Sequence, residues 1–74
     1  DLDVLDPAFA PGVGNPEADG ITSRELFDMI HSLKETKVTG VDIVELNPYH
    51  DNGATASLAA KIISTMIAMN LSQK

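Results

Sequence analysis

Residues 1–22 read DLDVLDPAFAPGVGNPEADGIT, and the meaning of Asp1 and Asp3 at the head of this stretch decides what the rest of the chain is. In an extended segment successive side chains alternate between faces, so Asp1 and Asp3 are expected to project to the same side. Two ionised carboxylates brought together repel. Three arrangements relieve them: one takes up a proton, a basic side chain neutralises the pair, or a cation sits between them. The nearest basic residue is Arg24, beyond a turn-rich stretch. Leu2, Val4 and Leu5 are apolar and β-compatible, which predicts that the acids end a buried strand. All-oxygen ligation then suits a hard divalent ion such as manganese, magnesium or calcium, with zinc requiring histidines from elsewhere. The alternative is a pair of solvent-facing acids, and spacing by itself does not separate the two.

Outward from this pair, the chain reads as strand end, long loop, helix, strand, loop and helix, an α/β order with no internal repeat. Pro7 to Gly20 holds three prolines and three glycines in 14 residues, which predicts a loop shaped by turns rather than a regular element. Asp6, ahead of Pro7, is assigned to turn chemistry, its side chain bonding nearby backbone amides. Thr22 and Glu25 form a capping box, and Leu26, Phe27, Ile30 and Leu33 recur at helical spacing, predicting a helix over 23–35. Residues 37–45 carry Val38, Val41, Ile43 and Val44, the nearly continuous apolar run of a strand covered on both faces. A loop over 46–53 leads to a closing helix over 54–71, apolar nearly all round, which predicts burial on more than one side. Two partial strands cannot make a stable sheet, so most of the sheet is expected to lie outside these residues.

Composition narrows the function classes. The 74 residues carry 11 acidic and five basic side chains, a net charge of −6, which argues against a general nucleic-acid surface and favours a cationic small molecule or a metal. Cysteine is absent, so no disulfide or thiolate metal site is available, in keeping with a reducing cytoplasmic compartment. No signal-peptide pattern and no apolar run long enough to cross a bilayer is read, so the expectation is a soluble protein without a membrane partner. A single core of this size is marginal, with about 60% of the unfolded surface buried, and there are no staples to support it.

The residues met so far resemble the carboxy-terminal signature of the ureohydrolases, the arginase and agmatinase family. That pattern is met by Asp1, Asp3, Asp6, Pro7, Ala10, Pro11, Gly12, Pro16, Glu17 and Gly20, with only the leading Ser-apolar pair missing. A second block, GVDIVELNPYHD over 40–51, resembles the family's last core strand, with Glu45 followed three residues on by Pro48. A third, TASLAAKII over 55–63, resembles its closing helix. The resemblance implies the carboxy-terminal part of one catalytic domain with a three-layer α/β/α fold and a mainly parallel sheet, a piece not expected to fold alone.

What it implies for chemistry is hydrolysis of a guanidino group with release of urea, using two manganese ions per complete site. Asp1 and Asp3 are carried over as metal ligands and Glu45 as the acid that holds the substrate guanidinium. A carboxylate at a strand end, where α/β sheets place ligands, suits that role independently, because a guanidinium pairs with it bidentately. His50, in the loop NPYHDNG, is expected to reach the mouth of the site as a substrate contact. His31, inside the first helix, reads as a surface or packing residue. No catalytic residue is assigned within this chain, since the family's catalytic histidine and remaining ligands lie upstream, and the 74-residue stretch alone is expected to be inactive.

Agmatine, cleaved to putrescine and urea in polyamine biosynthesis, is the leading substrate, although Asn47 to Asp51 departs from the Ser-Pro-Pro-Tyr-Asp of many agmatinases. Arginine remains the alternative, and a homo-oligomer formed through the complete domain is implied. A competing class is a calcium-binding or interaction module using Asp1, Asp3 and Asp6, but an EF-hand loop would need different residues at Leu5, Asp6 and Gly12. A third is a truncated, non-catalytic binding or decoy module that joins an enzyme's oligomer through its helices.

Overall fold

The computed structural model describes residues 1–72. A 3₁₀ turn over Leu2–Val4 opens the chain, followed by helix α1 (Ser23–His31), a second 3₁₀ turn over Pro48–His50 and helix α2 (Ala54–Ser72). α1 begins where its capping box predicts: Glu25 N–H donates to Thr22 Oγ1 at 3.0 Å, and Thr22 N–H donates to Glu25 Oε1 at 2.9 Å. It ends at His31 rather than at 35, because Ser32 to Glu35 wind on as turns.

The expected strand over 37–45 does not form, and no strand occurs among the described residues. Two isolated bridges stand in place of a sheet, Leu5 with Ile21 in parallel and Val13 with Leu46 in antiparallel sense. A ladder needs consecutive paired neighbours, and the run of valines is given few. Leu2 N–H donates to the Val44 carbonyl at 3.2 Å, yet Val41 and Val44 stay 49% and 46% exposed. The β-branched run is therefore a strand sequence without flanking strands. The head of the chain is corrected too: residues 2–4 coil as a 3₁₀ turn where an extended strand end was expected.

Leu2, Leu5, Ala10, Val13, Phe27, Ile30, Ala59 and Ile62 form one buried cluster, which the shaped loop, α1 and α2 share. Lys61 lies over the Phe27 ring at 5.6 Å from its centroid, tying the helices at the rim. α2 buries Thr55, Ala59 and Ile62 on one side and leaves Ile63, Ile67 and Leu71 exposed on another. With 19 residues and a mean hydropathy of 1.3 it is, by length and composition, long and apolar enough to cross a bilayer, contrary to the sequence reading; here it serves as a packing helix. The accessible surface of 4974 Å² exceeds the roughly 4,400 Å² of a compact 7.9 kDa monomer, as expected of a piece whose second apolar face is uncovered.

Candidate metal and substrate site

The head of the chain coils rather than extends, so strand alternation does not set the directions of Asp1 and Asp3. Asp1 caps the 3₁₀ turn, its Oδ1 accepting the Asp3 N–H at 2.9 Å. Asp3 is half-buried, and its Oδ1 is a buried oxygen with no hydrogen-bond partner in the structure. Such an atom costs about 1–3 kcal/mol, more if charged, unless something supplies the missing partner. A cation does so, and a carboxylate oxygen is the donor that a hard divalent ion prefers. The two acids fit part of a metal shell; among the described residues no group of three or more His, Cys, Asp or Glu side chains is placed to hold an ion.

The segment carrying Glu45 runs between this turn and the glycine-rich loop. The Val44 carbonyl accepts from Leu2, and the next carbonyl, that of Glu45, accepts the Gly14 N–H at 3.0 Å. Asn47 N–H donates to the Gly12 carbonyl at 2.7 Å, so residues 12–14 and 45–47 lie antiparallel. Glu45 itself is exposed and adopts φ +73°, a left-handed conformation that costs a non-glycine residue on the order of 1–3 kcal/mol. The main chain of the 2–4 turn is thus tied beside residues 44–45 by the bond from Leu2 to Val44.

His50 has both ring nitrogens engaged. The Val13 carbonyl can only accept, so Nδ1, 2.6 Å away, carries the proton. Nε2 then accepts from Asn47 Nδ2 at 3.2 Å, while Asn47 Oδ1 accepts the Tyr49 N–H at 3.1 Å. A substrate contact through either nitrogen would have to displace one of these bonds. His31 is exposed at the end of α1.

Two other acids do structural work. Asp6 accepts Ala8 N–H on Oδ1 and the Asp19 and Gly20 N–H groups on Oδ2, closing the 6–20 loop as turn chemistry anticipates. Asp51, in the same loop as His50, is engaged by the start of α2. Its Oδ2 accepts from Thr55 Oγ1 at 2.7 Å and Thr55 N at 3.0 Å, and its Oδ1 accepts the Gly53 N–H. The fully buried Thr55 hydroxyl accepts in turn from Gly12 N–H at 2.8 Å, linking the start of α2 to the glycine loop. A small polar residue one position into a helix after Asp-x-Gly is the only sequence trace of this junction.

Both carboxyls are held below their ordinary value. For Asp6 the Ala8 N–H bond is the main cause, and for Asp51 the Thr55 hydroxyl. A depressed folded pKa means stability that is fully present above the unfolded value, near 3.9, and is lost as pH falls through the folded one. In the complete protein, Asp51→Asn is therefore expected to flatten the fall of melting temperature between about pH 4 and pH 2; a slope equal to wild type would show that Asp51 is not coupled to folding.

Comparison with known proteins identifies the family of this chain. A sequence model described as the arginase family matches residues 1–69. Agmatinase of Bacillus subtilis (strain 168) is 49% identical over 70 residues, covering 90% of this chain and 24% of that protein. Arginase 1, mitochondrial, of Arabidopsis thaliana is 44% identical over 70 residues, covering 92% of this chain and 20% of its own length. The agmatine ureohydrolase of Thermoplasma volcanium superposes with a TM-score of 0.85 at 43% identity, over 93% of this chain and 23% of that structure. Fold and sequence thus place the chain among ureohydrolase-like proteins, and it belongs to the arginase family. It spans between a fifth and a quarter of the length of these relatives.

Proposed function

We propose that the complete protein hydrolyses the guanidino group of a small cationic substrate, releasing urea, and that these residues supply part of its metal and substrate site. The observation that carries this reading is the buried, unpartnered Asp3 oxygen beside the Asp1 cap, linked through Leu2 and Val44 to the residue before Glu45. Asp1 and Asp3 would hold divalent cations, read as a pair of manganese ions in the full site, with further ligands from outside this stretch. When bound, such ions lower the pKa of water enough to give a nucleophile near neutral pH.

Glu45 would pair with the guanidinium, a planar cation whose fork of N–H groups matches a carboxylate. Fixing that cation orients its central carbon and removes rotational freedom before reaction. Water then adds to the carbon, the bond to the chain nitrogen breaks, and the departing amine takes up the proton. The loop 46–53, which follows Glu45 along the chain, carries His50 and Tyr49, and Tyr49 is 95% exposed and available to a substrate or a covering segment. In the complete domain the valine-rich segment joins a mainly parallel sheet inside three α/β/α layers, and its single bonds here become ladders. The acidic balance of the chain supports a cationic small molecule over nucleic acid, and a cytoplasmic homo-oligomer completes the reading.

Agmatine is the substrate favoured. Urea release by the complete protein is expected to be at least roughly tenfold higher in kcat/KM for agmatine than for arginine, about 1.4 kcal/mol of discrimination. The opposite preference assigns the protein to the arginase branch, and urea from neither substrate at any metal loading removes the ureohydrolase reading.

A further inference from the structure

We propose that Gly14 is a positioning residue for the Glu45 carboxylate, an inference that rests on Glu45 binding the substrate cation. A Cβ built on Gly14 would lie 2.8 Å from Glu45 Oε2 and 4.0 Å from its Cδ, and among the described residues it would meet nothing else within 4 Å. The backbone gives glycine no other reason to be there. Gly14 is outside the positive-φ region, where only Gly53 lies among the glycines described. A side chain at position 14 is therefore opposed by one group alone, the carboxylate that the site needs.

The arrangement is reciprocal. Gly14 N–H donates to the Glu45 carbonyl, fixing the two residues opposite one another, and the bonds from Asn47 to Gly12 and from His50 to Val13 hold that register on either side. Glu45 leaves the ordinary extended conformation at φ +73°, and its carboxylate comes to rest over the bare backbone of its partner. The bare Gly14 backbone thus sets where the negative charge stands. Because the opposing atom is the far end of a flexible, exposed side chain, a methyl group here moves the carboxylate and leaves the fold intact.

The test is a double-mutant cycle in the complete, metal-loaded protein, reading KM and kcat for the guanidino substrate together with the melting temperature. Gly14→Ala is expected to leave the melting temperature unchanged and to raise KM on the order of 10- to 100-fold, the penalty of misplacing a positioning group by about 1 Å. In the Glu45→Gln background the same alanine should add nothing, since the charge it displaces is gone. Unchanged KM in Gly14→Ala, with KM raised in Glu45→Gln, overturns the role of Gly14 while leaving that of Glu45. Unchanged KM in Glu45→Gln overturns both. Should Gly14→Ala fail to fold, Gly14→Ala combined with Glu45→Asp decides: the shorter acid vacates the contact, so recovery of folding supports the proposal, and continued misfolding overturns it.

Discussion

Asp3→Asn in the complete protein is expected to abolish metal retention and urea formation together, without lowering the melting temperature of the metal-free protein. Asp3 Oδ1 takes part in no hydrogen bond, so exchanging the acid for its amide removes no protein contact made by that atom. What it removes is an anionic donor from a half-buried position where an ion would be its partner. Loss of supporting groups around metal ligands commonly costs 10- to 100-fold in affinity, so loss of a ligand should cost on the order of 100-fold or more. The stabilisation given by bound metal, about 2.7 kcal/mol at a concentration 100 times Kd, should vanish with it. Metal content by mass spectrometry, with melting curves with and without added manganese, reads both effects. A variant that keeps its metal shows that Asp3 is not a ligand.

Gly20→Ala should be the most damaging of the glycine substitutions, and for the fold rather than the chemistry. A Cβ there would stand 2.5 Å from Asp6 N, 2.7 Å from Leu5 C and 2.8 Å from Val4 O, all main-chain atoms. None of these swings aside as a side chain does. The same atoms carry the bonds from Asp6 N–H to the Ile21 carbonyl and from Ile21 N–H to the Val4 carbonyl, which hold the opening 3₁₀ turn against the loop. Overpacking costs about 1–3 kcal/mol and each weakened bond about 0.5–1.5, so a loss of roughly 3 kcal/mol or more is expected by denaturant unfolding of the complete protein. At Gly12 the opposing group is the Asp51 carboxylate, pinned by Thr55 and Gly53, and the loss should be smaller; at Gly14 it should be near zero. A reversed order would show that backbone approach at Gly20 is not what demands glycine.

The contrast among these glycines marks what could be read from sequence. Local chemistry was legible: the Thr22–Glu25 box starts α1, and Asp6 before Pro7 gathers the loop amides. Such bonds join residues whose spacing fixes the geometry. The valine run was legible as strand-forming, but a strand is made by its neighbours, and the described residues provide single bridges only. Strand alternation was the wrong premise for Asp1 and Asp3, since Asp1 accepting the Asp3 amide coils the chain instead. The seat of Glu45 on Gly14 and the Gly12–Thr55 bond join residues 31 and 43 positions apart along the chain. No local pattern announces contacts at that separation.

The buried Thr55 hydroxyl, held between Gly12 and Asp51, also bears on how such sequences diverge. With one end of the 46–53 connection anchored beside Glu45 and the other at this hydroxyl, its length is fixed from both sides. An inserted residue there would uncouple the Glu45 segment from the helix behind it, whereas the exposed stretch around Gly40, where an added Cβ would meet nothing, can lengthen freely. Among descendants of this sequence, variation in substrate range should come by exchange of side chains at 47–50, and variation in chain length should accumulate between the end of α1 and Val41.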